Sequence, residues 1–255
     1  MNAPTFVDVA IALVLVAIAI AVSRFWKIPV QKEMSIGAVR AFVQLVAVGY
    51  ALKYIFALES LWLIGLALLV MLVVGAYTAA GRVKVIRQPF LIAFVAMSLG
   101  SFITLGVMLA TGLITIEAKF VIPLGGMLIS NAMNASTLTS KSITNSLKEN
   151  RLAIETALAL GKPWREASRR FQREAATQGL VSILNFMKTV GIVALPGAMT
   201  GMILGGAEPL EAVLLQLIVG YMLLSAVTIT TVVTLELVVR QFFTEQDQFR
   251  PLPLQ

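Results

Sequence analysis

Polar residues between positions 130 and 141 interrupt an otherwise apolar stretch. They fall on roughly one helical face and comprise Ser130, Asn131, Asn134, Thr137 and Lys141. Two amides at membrane depth offer carbonyl oxygens to a cation, or donors and acceptors to a sugar. Polar groups are expensive in hydrocarbon, so they face other helices or a water-filled cavity. This face therefore predicts either a substrate pathway or hydrogen bonds between helices.

Two more polar residues, Gln44 and Lys188, lie in apolar segments and are further candidates for the pathway. The chain has no His and no Cys. Ligands for a metal would therefore be carboxylate, amide, hydroxyl, carbonyl or thioether groups. Carboxylates are scarce at depth, because Asp8 and Glu236 lie near the ends of apolar segments. A metal would cross an amide-lined path or travel as a complex, unless the cargo is not a bare metal.

A charged stretch, ETALALGKPWREASRRFQREA at 155–175, holds five basic and three acidic residues. Its spacing predicts an amphipathic helix with Trp164 and Phe171 on an apolar stripe. Gly161 is expected to end the preceding segment and to present this helix. Such a helix either lies on anionic lipid or docks on a partner. In the docking interpretation the two aromatic residues are anchors, and the rim carries Arg165 and Arg169.

Composition indicates the elements that must position these residues. The 255 residues are 58% hydrophobic and 13% charged, with a mean hydropathy of +0.90, whereas soluble domains are about 25% charged. We therefore predict an all-α polytopic membrane protein. Segments of about 20 apolar residues predict seven transmembrane helices, at 5–23, 36–56, 61–80, 89–112, 120–140, 179–205 and 210–239. Pro196 is expected to break the sixth.

Basic residues in the predicted loops set the orientation. Sixteen lie on one side and two, Lys53 and Lys119, on the other. The prediction is an N-terminus outside and a C-terminus in the cytoplasm, in a plasma or bacterial inner membrane. One membrane domain then comprises helices one to five (1–140), a cytoplasmic coupling segment (141–178), helices six and seven (179–240) and a cytoplasmic tail (241–255).

The residues Glu155, Thr156 and Ala157, followed three residues later by Gly161, resemble the EAA-x3-G signature of ABC transporter permeases. The resemblance implies that the 155–175 helix is a coupling helix seated in a groove of a cytoplasmic ATPase. The second half departs from the signature, since Arg173 and Glu174 stand where that family has Leu and Pro. No P-loop is present in the sequence, because the Gly161-Lys162 pair is followed by Pro163.

Three longer stretches are similar to FetB-type permeases, a family of ABC membrane subunits: VRAFVQLVAVGYALKYIF, IPLGGMLISNAMNASTLTS and GMILGGAEPLEAVLLQLIVGYMLL. The resemblance implies a homodimeric exporter subunit, with ATP and magnesium bound by a separate ATPase and no cofactor on this chain. It implies no enzymatic activity and no nucleic-acid partner. Bacterial members are associated with iron export. Plant relatives are linked to aluminium tolerance and to UDP-glucose movement.

Three alternatives stay open at this point. An ABC permease could carry a non-metal cargo such as a nucleotide sugar. A secondary transporter would need buried coupling carboxylates or inverted repeats, and neither is evident in the sequence. A membrane enzyme would need a nucleophile with a base, or a metal cluster. Gly197, Gly201 and Gly205 recur every four residues and predict close helix packing, within one subunit or at a dimer seam.

Overall fold

The structure, a computed structural model, describes residues 5–58, 60–83 and 85–250. Within them the regular elements are helical, and two isolated bridges are the other pairings, so the all-α prediction is confirmed. The helices are α1 Phe6–Phe25, α2 Gln31–Leu58, α3 Leu61–Gly81, α4 Pro89–Ala110, α5 Ala118–Glu149, α6 Arg151–Ala159, α7 Trp164–Ala167, α8 Arg169–Thr189, α9 Gly197–Leu204 and α10 Pro209–Val239.

The first of two structural units, Met1–Glu59, contains α1 and α2. A capping box begins α1, because the Thr5 backbone N–H donates to the Asp8 carboxylate at 2.7 Å and the Asp8 N–H donates to the Thr5 hydroxyl at 3.4 Å. A turn with Lys27 at φ 52° joins the two helices. Ser23 is the one buried residue of α1, and α2 has none.

The second unit, Ser60–Gln255, is a bundle in which α5 packs against α3, α4, α8 and α10. Glycine allows two of the close helix crossings. A Cβ on Gly100 of α4 would overlap the Thr230 hydroxyl of α10 and lie 2.6 Å from the Ala226 carbonyl oxygen. A Cβ on Gly179 of α8 would overlap the Thr139 hydroxyl of α5. The backbones can therefore approach closely only while these positions lack side chains.

Five helices are long and apolar enough to cross a membrane: α1 to α4 and the stretch Pro209–Phe242 that contains α10. They match the first four and the last of the seven predicted spans. The predicted fifth span lies within α5, which has 32 residues and is more polar than those five. The sixth predicted span is interrupted, as expected, because α8 ends at Thr189 and the eight-residue α9 begins at Gly197.

The sixth predicted span is interrupted earlier in the chain than Pro196, the residue at which we expected the break. Val190 is already extended, with φ −60° and ψ 133°, and Gly191 follows with φ 82°. Pro196 precedes the first residue of α9, where its missing N–H costs no helical hydrogen bond. The glycine repeat falls in and just after α9. A Cβ on Gly197 or Gly201 would meet nothing within 4 Å, so packing within one subunit is not seen in the described part of the chain.

One end of the second unit, which we call the basic end, is where α3, α5 and α10 finish and α4 and α8 begin. A hydrophobic core closes it, centred on Ile143, Leu147, Ile154, Val239 and Phe242, each fully buried. The Gln241 side chain accepts from the Arg87 N–H at 2.8 Å and donates to the Arg87 carbonyl at 2.9 Å. The loop after α3 is thereby tied to the end of α10.

Candidate transport path and coupling segment

The polar face of α5 is only partly covered by neighbouring helices. Ser130, Asn134 and Lys141 are exposed and Asn131 and Thr137 are half-buried. Two of these side chains form hydrogen bonds within α5. Asn131 Nδ2 donates to the Met127 carbonyl at 2.8 Å, and the Thr137 hydroxyl donates to the Met133 carbonyl at 2.9 Å. In the described part of the chain, the side-chain hydrogen bonds of this face stay within α5 and do not reach neighbouring helices. The face can therefore line a path.

A cavity of about 370 Å³ lies along this face, between α3, α5 and α8. Its polar lining consists of Thr78, Arg82, Asn134, Thr137, Lys141 and Ser182, and its apolar lining of Met133 and Leu138. Three of the predicted pathway residues of α5 therefore share one cavity. Two of the described lining residues, Arg82 and Lys141, are cationic.

The lining of this cavity does not include four other pathway candidates, Ser130, Asn131, Gln44 and Lys188. Gln44 is an exposed residue of α2 in the first unit. Lys188 is exposed in the last turn of α8. The helix ends one residue later, at Thr189, so Lys188 lies at a helix end rather than in the middle of a continuous helix.

A seam of buried hydroxyl groups lies on the opposite face of α5, and the sequence predictions missed it. Thr234 of α10 donates to Ser136 of α5 at 3.1 Å. The hydroxyls of Ser101, Thr139, Thr144 and Thr231 are buried without a hydrogen-bond partner in the described structure. The sequence signal was available, since Ser136, Thr139, Ser140 and Thr144 recur at helical spacing and Thr230, Thr231 and Thr234 do so on α10.

The charged stretch at 155–175 is not one helix, so that prediction is wrong. Glu155 lies on α6, where it pairs with Arg151 at 2.7 Å. Gly161 adopts φ 83° and ends α6, as predicted. Then α7 begins after Pro163, and an interruption at Ser168 separates it from α8. The Ser168 hydroxyl donates to the Trp164 carbonyl at 2.6 Å and accepts from Gln172 Nε2 at 2.7 Å, which links α7 to the first turn of α8.

The two aromatic residues predicted as anchors contact the chain's own core. The Trp164 ring stacks on Phe243 with ring centroids 5.3 Å apart, and the Trp164 backbone N–H donates to the Asp247 carboxylate at 3.2 Å. Phe171 is half-buried against the core of the basic end. The apolar stripe is therefore real, but residues 242–249 of this chain already cover much of it.

Ion pairs fix α7 on α10. Arg165 contacts the Glu236 carboxylate at 2.6 Å, and Arg240 contacts the same carboxylate at 2.7 Å. The Arg165 guanidinium also lies 4.7 Å from the Trp164 ring centroid, a cation–π distance. Arg165 is thus engaged within the chain, whereas Arg169 is exposed.

Leucine side chains form the apolar part of the surface that remains open on α6. Leu152 and Leu160 are each 78% exposed. Leu152 lies in the first turn of α6, and Leu160 directly follows its last residue. Both side chains are therefore available for contact with a partner.

The family model described as "Uncharacterised protein family (UPF0014)" matches residues 6–243. This chain belongs to the UPF0014 family. It is 37% identical over 218 residues to UPF0014 membrane protein STAR2 of Oryza sativa subsp. japonica, covering 86% of this chain and 76% of that protein. It is 36% identical over 221 residues to Protein ALUMINUM SENSITIVE 3 of Arabidopsis thaliana, covering 87% and 81%.

A bacterial relative matches over a greater length. Identity to the Probable iron export permease protein FetB of Escherichia coli (strain K12) is 35% over 240 residues, covering 94% of this chain and 93% of that protein. The predicted relationship to FetB-type permeases is confirmed. These relatives and the apolar helices together identify a membrane protein of a permease family. No solved structure gives a significant match.

Proposed function

We propose that this chain is the membrane permease subunit of an ATP-driven ABC exporter. It works as a homodimer in a plasma or inner membrane, with ATP and magnesium bound by a separate cytoplasmic ATPase. The basic end faces the cytoplasm and the cargo is iron or another metal, free or complexed. The printed name of the Escherichia coli relative supports a metal cargo. The mechanism is supported by how α5 and α6 are connected.

The observation that carries the proposal is the continuity between the polar face and the basic end. α5 extends for 32 residues, carries the polar face in its middle and finishes at Glu149. A single residue, Asn150, separates it from α6. At about 1.5 Å per residue, Lys141 is only about 12 Å from the helix end. A partner that moves α6 therefore moves the polar face through one helix.

The structure changes which residues we assign to the ATPase contact. Leu152 and Leu160 are the anchors, because their exposed side chains can enter a groove on a partner. Arg169 is exposed and steers the encounter. Trp164 and Phe171 act indirectly, since they hold α7 and α8 on the core of the basic end. Glu155 and Gly161 set the end of α6 that carries Leu160.

A second copy of the chain would enclose the pathway. Asn134 is about 24 Å from the first residue of α5 at the usual helical rise, within the thickness of a bilayer. An exposed amide at that depth costs free energy against hydrocarbon and less against another copy or trapped water. The open glycine face of α9 is available for the seam between copies, because nothing described occupies it.

Co-purification of an ABC ATPase encoded beside this protein tests the proposal. Leu152→Ala combined with Leu160→Ala should reduce the retained ATPase by at least about tenfold, the loss that anchor residues of about 2 kcal/mol predict. The matched control is Leu113→Ala with Leu210→Ala, two exposed leucines outside the basic end. Wild-type ATPase retention by the first variant would rule out α6 as the docking element.

The aromatic residues need a separate readout. Trp164→Ala with Phe171→Ala should also release the ATPase, but it should lower the unfolding temperature of the chain as well, because it opens the core. Leu152→Ala with Leu160→Ala should leave the unfolding temperature unchanged. Equal thermal stability of the two double variants would contradict the division into anchors and supports.

A further inference from the structure

An apolar pocket of about 190 Å³ lies between α8, α9 and α10, toward the end of the second unit opposite the basic end. Its lining includes Phe186 and Met187 of α8, Met199 of α9 and Val213 of α10. A Cβ on Gly220 of α10 would lie 3.4 Å from Met187 Sδ and 3.7 Å from Phe186 Cε1. The glycine therefore lets these two side chains of α8 close one side of the pocket against α10.

Gln216 of α10 is the polar residue among the described residues that line this pocket. The residue is 6% exposed, and its Oε1 atom is buried without a hydrogen-bond partner in the described structure. A buried polar atom that is left unpaired costs free energy. A ligand that brings a hydrogen-bonding group to this amide therefore gains more than a purely apolar ligand of the same size.

The pocket lies within the membrane-crossing part of α10. Gln216 is about 10 Å from the first residue of that helix at the usual rise, inside the apolar stretch Pro209–Phe242. Two lining residues, Leu195 and Leu217, are 61% and 40% exposed. Since exposed leucines at this depth face hydrocarbon, a ligand reaches the pocket from the lipid phase.

The size and the lining of the pocket favour an aromatic ring that carries a hydroxyl. An apolar cavity of about 150 Å³ holds a benzene molecule, so this pocket accommodates a ring with a small substituent. The ring of Phe186 and the thioethers of Met187 and Met199 offer ring–ring and sulfur–ring contacts. A hydroxyl pairs with either end of the Gln216 carboxamide, because it both donates and accepts.

We propose that this pocket binds a lipid-soluble phenol, with its ring between α8, α9 and α10 and its hydroxyl on the Gln216 amide. The inference goes beyond the proposed transport function, and binding requires neither the cargo nor the ATPase. A bound phenol would lie beside the break between α8 and α9 and would brace the two helices against α10.

Fluorine NMR titrations of the full chain in detergent micelles test the proposal. They compare para-fluorophenol with para-fluorotoluene, two probes of similar size that differ in the hydroxyl. Wild-type protein should bind both saturably and the phenol more tightly. Gln216→Leu should still bind para-fluorotoluene, but the ratio of phenol affinity to toluene affinity should fall at least about tenfold, as the loss of one hydrogen bond to a buried group predicts.

Two further variants complete the design. The matched control, Asn185→Leu, removes an exposed amide of α8 outside the pocket and should leave the affinity ratio unchanged. Val213→Phe places a larger side chain in the pocket and should abolish saturable binding of both probes. Because each probe enters the micelles equally with every variant, the ratio reports the protein site alone.

Three results would overturn the proposal: no saturable binding of para-fluorophenol to wild type, an equal affinity ratio in wild type and Gln216→Leu, or an equal fall of the ratio in Asn185→Leu. Thioethers also bind soft cations. Saturable Ag⁺ binding that is lost in Met199→Leu, in a protein that binds no phenol, would assign the pocket to a soft cation instead.

Discussion

Gly179→Ala should destabilise the junction at which α8 crosses α5 and α10. The new Cβ would overlap the Thr139 hydroxyl and lie 3.0 Å from that of Thr231. Thr139 and Thr231 are fully buried, so neither has space to withdraw. Overpacking of this kind costs about 1–3 kcal/mol. Alanine in a helix returns about 1 kcal/mol relative to glycine, which leaves a net loss of about 0–2 kcal/mol.

Gly126→Ala is the matched control, because a Cβ there meets only Met71 Sδ at 3.7 Å, an ordinary contact. It gains the same helix propensity without the overlap, so the two variants should differ by about 1–3 kcal/mol. The assay is the free energy of unfolding in mixed micelles titrated with sodium dodecyl sulfate. Thr139→Ala should relieve part of the loss in Gly179→Ala, a favourable coupling in a double-mutant cycle. Equal stabilities of the two alanine variants, or strict additivity in the cycle, would refute the packing argument.

Further outcomes concern the basic end, the orientation and the pathway. Glu236→Gln should loosen α7 by about 1 kcal/mol, because it removes the shared partner of two arginines, and thermal unfolding should show a loss larger than that of Glu174→Gln, an exposed pair worth about 0.3–0.5 kcal/mol. A reporter fused after Gln255 should be active only as a cytoplasmic fusion, and activity as an external fusion would reverse the orientation. Asn131→Leu or Asn134→Leu should reduce transport while leaving insertion and ATPase retention intact, whereas normal transport by both would remove these amides from the path.

Apolar segments were predictable where a single helix fills the membrane. α3 and α4 begin at the predicted residues, Leu61 and Pro89, and end within two residues of the prediction. Length and hydropathy suffice for such helices, since their environment is uniform. The position of the break in the sixth span was not predicted correctly. Hydropathy alone does not indicate that the helix already ends before Val190 and Gly191, ahead of Pro196.

Long-range contacts explain the other misses. The sequence indicates an apolar stripe through Trp164, but not that Phe243, 79 positions later, covers it. The Glu236–Arg240 contact at 2.7 Å joins residues four apart, a spacing at which helical side chains meet. Arg165 joins the same carboxylate from another element, which spacing does not indicate. The spacing of the polar residues of α5 predicted one shared helical face, and three of them line one cavity. The contribution of Arg82 was not predictable, because it depends on where α3 ends.

Transport by purified components shows directly whether this chain is the membrane subunit of an ATP-driven exporter. The permease and the ATPase encoded beside it are reconstituted into vesicles, and movement of radiolabelled iron is followed with and without ATP. We expect transport that requires both proteins and ATP. The Leu152→Ala, Leu160→Ala double variant should lose it, whereas the Leu113→Ala, Leu210→Ala double variant should retain it. Transport by the permease alone, driven by an ion gradient and indifferent to ATP, would contradict it.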